Sequence, residues 1–218
     1  MTAVGKAPPR DRSQLLVATR SAHKLRELRE LLGLRAQLID LDDVGIDGEA
    51  IEDGETFEAN ASKKARFFAG LSGMPTLADD SGLEVDALAG GPGVRTRRYA
   101  GDDASDDENN IKLLAALAGL EAAHRGARYR CVLALALPEV RGPKGGLSVR
   151  LAHGTLAGRI ATGPKGNGGF GYDPIFEPAG ERPGGRTLGE WTAEAKNRIS
   201  HRGKAARRMH RILVDLGF

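Results

Sequence analysis

The sequence predicts an α/β domain built on a mixed sheet. Three observations carry that expectation: strand-like apolar runs alternate with helical stretches in the first half, two strand-like segments at 147–152 and 155–161 follow one another without a helix between them, and a basic amphipathic helix closes the chain. A purely parallel, doubly wound sheet would need a crossover between every pair of strands, and the later ββ order argues against it. At 218 residues and 40% hydrophobic, the chain is long enough for one sizeable domain with two lobes sharing a sheet.

The elements read as follows. Leu15–Ala18 is a short apolar strand, the polar turn TRSAHK follows, and Leu25, Leu28, Leu31 and Leu32 recur at helical spacing up to Gly33. A second helix starts at Thr56 and ends near Gly70 or Gly73, with Phe57, Ala61 and Phe68 on one stripe and Asn60 and Lys64 on another face. PTLADDSGL reads as a strand that delivers Asp79 and Asp80 to a turn at Ser81-Gly82, so the pair is expected at an element's end. Ser105 and Glu108 form a capping box before a helix expected to reach about Gly119. Tyr129, Cys131, Leu133, Leu135 and Leu137 alternate with other apolar residues, the pattern of a strand covered on both faces. The segments 147–152 and 155–161 are expected as strands paired around His153-Gly154, and Ser200 caps a last helix with Ala205, Met209, Ile212, Leu213 and Leu216 turned inward.

Composition narrows the setting. No apolar run reaches the roughly 18 residues of a membrane span, and the start MTAVGKAPPRDRS lacks the apolar core of a signal peptide, so residues 1–13 read as a loose tail before a single domain over 14–218. The one cysteine, Cys131, lies in an apolar run and has no intrachain partner, which fits a reducing, cytoplasmic setting. A net charge of +3 does not mark a nucleic-acid binder, although cations crowd residues 196–211.

Several clusters have the makings of a site. Thr19-Arg20-Ser21-Ala22-His23-Lys24 joins a strand end to a helix start, where free N–H groups and the helix dipole favour an anion; an ordinary capped helix with a solvated lysine fits the same residues. Glu52, Glu55, Asp79 and Asp80 would repel a phosphate brought near them unless a hard cation such as Mg²⁺ stood between, and surface acids on a loop and a turn are the plainer alternative. Lys64 suits a phosphate and Asn60 a carboxylate, while Lys196, His201 and Arg202 gather at the start of the last helix. His201 has no Cys or His at metal-ligand spacing.

The stretch GPKGNGGFGYDP at 163–174 contains G-x-G-x-x-G, but Pro174 and Pro178 follow where a dinucleotide-binding turn needs a helix. What remains is a polar loop presenting Phe170 and Asp173.

In chain order, TRSAHK, ETFEANASKKA, ADDSGLEVDAL, GGPGVRTRRYAG, GNGGFGYDPIF and SHRGKA closely resemble the inosine/xanthosine triphosphate pyrophosphatase family, over about residues 14–217. The resemblance implies an α/β fold with a mixed, curved central sheet flanked by helices, two lobes around an active-site cleft, and a homodimer. It also implies Mg²⁺-dependent hydrolysis of non-standard purine nucleoside triphosphates (ITP, dITP, XTP) to the monophosphate and pyrophosphate, with no nucleic-acid or membrane partner. On the matching positions, Glu52 and Asp80 would hold the metal and Asp80 would act as general base. Thr19, Arg20, Ser21, Lys24, Lys64 and Ser81 would hold the triphosphate. Phe170, Gly171, Tyr172 and Asp173, with Lys196, His201 and Arg202, would form the base pocket, the loop glycines letting backbone approach the ligand. An arginine aimed at the 6-keto oxygen would accept inosine and xanthosine and meet a donor in adenosine. Where the family often has Thr-Gly-Asn this chain has Thr19-Arg20-Ser21, replacing a small glycine by a long cation.

Overall fold

Parallel pairing comes first along the chain. In the computed structural model, which describes residues 12–141 and 146–218, strand β1 (Gln14–Val17) lies between β2 (Gln37–Ile39) and β3 (Thr76–Val85), parallel to both. From β3 onward pairing is antiparallel through β4 (Gly126–Arg141), β5 (Leu147–Ile160) and β6 (Phe176–Pro178), giving the order β2-β1-β3-β4-β5-β6. This is the mixed sheet expected from the sequence. Residues 1–11 of the expected tail lie outside the described residues; Arg12 pairs with Glu139, and the Ser13 carbonyl accepts from the Gln37 amide at 2.6 Å.

The helices begin and end where local chemistry dictates. Ser21 caps α1 (Ala22–Leu32), and Gly33, at φ 53°, closes it in the left-handed conformation that glycine adopts most easily. Thr56 and Gly73 do the same for α2 (Phe57–Ser72). Ser105 and Glu108 complete the capping box of α3 (Asp106–Ala116), which stops at Leu117, short of Gly119. Two helices follow near the C-terminus, α4 (Ala193–Ile199) and α5 (His201–Asp215), the second capped by Ser200.

Two expectations about strands are corrected. Asp79 and Asp80 do not end an element, because β3 runs on through Ser81-Gly82 to Val85. Gly82 serves close approach instead of a turn: a Cβ there would stand 2.5 Å from the Gly93 carbonyl oxygen and 2.7 Å from the Phe57 ring. Likewise 147–152 and 155–161 are not a pair, since one continuous strand, β5, ladders against β4 over most of its length. At Gly154 a Cβ would come within 1.9 Å of the His201 carbonyl oxygen, so this glycine lets α5 lie directly on the sheet.

Three apolar clusters follow from this layering. Leu25, Leu28 and Leu32 of α1 join Ala205, Met209 and Leu213 of α5 on one face of the sheet. Phe57, Ala61 and Phe68 of α2 cover the other, against Leu16, Ala78 and Val132. A third cluster gathers the far ends of β3, β4 and β5 (Leu83, Tyr129, Leu156) with Leu113 of α3 and Tyr172, Ile175 and Phe176. The first two clusters make one lobe and the third makes the second. Each fully buried side chain such as Leu28 or Met209 contributes roughly 1.5–3 kcal/mol by leaving water.

Candidate active site

The ladder between β1 and β3 stops at Val17 opposite Leu77, whose carbonyl accepts from the Ala18 amide at 2.8 Å. Beyond that point β3 keeps β4 on one side, but among the described residues Asp79–Ser81 have no strand on the other. The turn TRSAHK leaves β1 at this gap. A position past the carboxyl end of a strand, where the sheet changes neighbours, is where open α/β sheets admit ligands.

Successive residues of a strand point to opposite faces, and the two aspartates divide accordingly. Asp79 turns to the α1/α5 face, where Lys24 Nζ stands 2.7 Å from Oδ1 and Arg202 Nε 3.1 Å from Oδ2. Oδ2 also accepts from the Ser81 hydroxyl at 2.9 Å and the Cys131 thiol at 3.2 Å. Burial alone would raise this carboxyl's pKa, but Arg202 and Lys24 outweigh it and hold Asp79 well below the usual carboxylate range. Cys131 is a core residue, as expected, and also a donor to the site; burial and then the Asp79 charge keep its thiol protonated.

Asp80 turns to the α2 face and has the opposite environment. Its Oδ2 is buried with no hydrogen-bond partner. Burial is the main influence on its pKa; Lys64 and a contact from Asn60 pull it down, the charges of Glu52 and Asp79 push it up, and the net position is about 7. Lys64 forms an ion pair with Glu52 and donates to the Asp79 carbonyl at 3.3 Å, so it ties the loop bearing Glu52 to β3. Asn60 grips the Gly54 peptide from both ends, at 2.7 and 3.3 Å, which fixes the loop bearing Glu52.

Among the described residues no group of three or more His, Cys, Asp or Glu side chains could hold a metal. Two carboxylates, one with a buried oxygen left free, nonetheless fit Mg²⁺, which is commonly bound by one or two carboxylates and completes its shell with water and substrate phosphate.

The glycine loop stands on the other side of the gap. Phe170 keeps 39% of its surface exposed, with Lys196 Nζ 4.4 Å and Arg202 Cζ 5.7 Å from its ring centre. Asp173 is buried and anchors the loop from within: Oδ2 accepts from the Phe170 amide at 2.9 Å and from Lys196 at 2.5 Å, and Tyr129 donates to Oδ1 at 3.4 Å. The loop glycines serve packing against the protein itself, since a Cβ at Gly169 would stand 2.1 Å from Asp173 Oδ2 and one at Gly166 2.2 Å from the Gly189 carbonyl oxygen. Tyr172 packs in the second lobe's core and donates to the Thr96 carbonyl at 2.8 Å, so its side chain does not face the cleft. His201 stacks on Tyr129, ring centres 4.7 Å apart and planes at 7°, with Nδ1 buried and unpartnered.

Arg202 is 1% exposed and already engaged: Nη1 pairs with Glu27 at 2.6 Å while Nε holds Asp79. Nη2 makes the longest of the three contacts, 3.5 Å to the Ser81 hydroxyl, and is the least engaged nitrogen of the group. Glu27 was not legible as part of the site, although its position three residues after Lys24 places it near that lysine's face of α1.

In the phosphate-side turn, Thr19 Oγ1 accepts from the Ser21 amide and Ser21 Oγ from the Lys24 amide, which is helix capping. Arg20 points neither to solvent alone nor across the gap. It donates to the carbonyls of Ile46 and Gly48 at 2.8 and 3.1 Å, tying this turn to the segment that leads to Glu52.

The fold and the gap together define a two-lobed α/β protein with its polar site at the point where a mixed sheet changes neighbours. Within that class the chain belongs to the Ham1 family, whose sequence model matches residues 15–212. A dITP/XTP pyrophosphatase of Syntrophobacter fumaroxidans is 48% identical over 198 residues, covering 90% of this chain and 80% of that protein. Another, of Geobacter sulfurreducens, is 47% identical over 194 residues, 88% of this chain and 92% of the relative. Among solved structures, a HAM1 protein from Coxiella burnetii superposes with a TM-score of 0.81 at 38% identity, over 93% of this chain and 98% of that one.

Proposed function

We propose that this protein hydrolyses ITP, dITP and XTP to the nucleoside monophosphate and pyrophosphate, with Mg²⁺, as a cytoplasmic homodimer. The observation that carries the reading is the placement of Asp80, with a free buried oxygen, at an open strand edge that also has Phe170 close to two cations. The names of the relatives, dITP/XTP pyrophosphatase, support dITP and XTP as substrates. No described helix is long and apolar enough to cross a membrane.

In this reading the purine lies against Phe170, and Nη2 of Arg202 donates to the 6-keto oxygen that inosine and xanthosine carry and adenosine lacks. Lys24 and Lys64 face the phosphates from opposite sides of β3, with Thr19, Ser21 and Ser81 at the same end. Glu52 and Asp80 would hold Mg²⁺, which when bound offsets the phosphate charge and favours attack at phosphorus. Asp80 takes the proton of the attacking water as its oxygen bonds to the α-phosphorus, and the bond to the β-phosphate bridging oxygen breaks, releasing pyrophosphate. Turnover of ITP and XTP, compared with ATP, GTP and dUTP at fixed Mg²⁺ and salt, tests the reading. Equal rates on ITP and ATP would contradict it, as would full activity in excess chelator.

A further inference from the structure

The loop that carries Phe170 is held from outside by α3. Asp106 Oδ2 accepts the Gly171 N–H at 2.6 Å, and Asn110 Nδ2 donates to the Gly171 carbonyl at 3.0 Å. Four residues apart on a helix, the two side chains stand one above the other, so a single helix face grips both polar groups of one residue. Gly171 has φ +62°, a left-handed conformation outside any ladder, and the clamp supplies the pairing that a ladder would give.

Neither residue is explained by α3 alone. The capping box uses Ser105 and Glu108, and Asp107 also supplies first-turn charge, yet Asp106 is directed to the loop. Asn110 is 6% exposed and leaves its Oδ1 buried without a partner, an arrangement that costs stability and points to the task of its other end. Its neighbour Asn109 holds a different segment, accepting from Ala100 N–H at 2.8 Å and donating to the Arg97 carbonyl at 2.9 Å. That segment, the 3-10 turn Gly93–Arg98, reaches the Glu52 carbonyl through Arg98 at 3.4 Å. One helix therefore braces the aromatic loop and the turn that reaches the Glu52 backbone.

We infer that Asp106 and Asn110 are positioning residues for purine recognition, fixing Phe170 over the base through the peptide of Gly171. The inference rests on reading 170–173 as the base loop. It implies that the two residues govern affinity for the nucleoside portion and leave pyrophosphate binding alone.

The test is calorimetric binding of IMP and of pyrophosphate to wild type, Asp106→Ala, Asn110→Ala, the double variant and Asp106→Asn, with ITP kinetics and a thermal melt for each. Each single alanine variant should weaken IMP by about tenfold, the effect of losing one hydrogen bond that orders a loop, and keep pyrophosphate within about twofold. KM for ITP should rise while kcat stays within about threefold, and Asp106→Asn, which retains an acceptor, should recover most of the loss. Asn110→Ala carries the test if Asp106→Ala fails to fold. IMP binding within twofold of wild type in the double variant overturns the inference, and so does an equal loss of IMP and pyrophosphate. A wild-type protein that binds no IMP and turns over no ITP overturns the functional reading beneath it, whereas normal ITP turnover with an unaffected double variant overturns this inference alone.

Discussion

Arg202 Nε and Asp79 Oδ2 form an ion pair of 3.1 Å between two nearly buried side chains. Burial would lower the arginine's pKa, but Asp79 and Glu27 more than offset it and keep the guanidinium charged. Removing Arg202 takes the cation from Glu27 and leaves Lys24 as the one cation on Asp79, and breaking a buried pair in this way costs about 3–5 kcal/mol. Arg202→Ala is therefore expected to lower unfolding free energy by that amount in urea titrations. Because Nη2, the least engaged nitrogen, is the proposed donor to the base, the variant should also lower the ITP/ATP ratio of kcat/KM by about ten- to a hundredfold. An unchanged ratio would assign the arginine to scaffolding alone.

Asp80→Asn should separate catalysis from folding. The Oδ2 of Asp80 has no partner to lose, so the melting temperature should stay at or above that of wild type. Loss of a positioned base and metal carboxylate should lower kcat by about two to four orders of magnitude. A variant within threefold of wild type would place the base elsewhere.

His201 makes stability depend on pH. Burial, then the charges of Arg202 and Lys196, hold its imidazole well below the usual range in the folded protein, whereas the unfolded chain titrates near its ordinary value of about 6.5. Below that pH the unfolded state binds a proton that the folded state does not, so this residue's contribution falls as pH drops and is constant above it. The stability difference between wild type and His201→Gln should shrink from pH 8 to pH 5, by up to about 1.4 kcal/mol per pH unit within the window. Parallel curves would show that the ring titrates alike in the folded and unfolded protein.

Arg20 bears on the metal through the backbone. Its bonds to the Ile46 and Gly48 carbonyls restrain the segment leading to Glu52. Arg20→Gly should raise the Mg²⁺ concentration for half-maximal activity by roughly tenfold, as loss of an outer support does, without weakening ITP binding measured in EDTA. Weaker ITP binding in EDTA would make Arg20 a phosphate ligand instead.

Much of this architecture was legible because local rules agree with tertiary packing. Ser21, Gly33, Thr56, Gly73, Ser105 and Ser200 mark helix ends by capping chemistry, and the apolar stripes of α1, α2 and α5 face the sheet as their spacing requires. The errors arose at glycines. Gly82 and Gly154 read as turn residues, but each makes room for a neighbour distant in sequence, and nothing local distinguishes the two uses. The opposite facing of Asp79 and Asp80 follows from strand periodicity once β3 is known to continue. The partnership of Asp106 and Asn110 with Gly171, more than 60 residues away, has no local sign at all.

The most direct test of the chemistry is phosphorus NMR of ITP hydrolysed by the wild-type protein with Mg²⁺ in ¹⁸O-enriched water. Pyrophosphate and IMP should appear in equal amounts with the heavy oxygen on IMP, as attack at the α-phosphorus requires. Orthophosphate and IDP as the first products, or label confined to pyrophosphate, would contradict it.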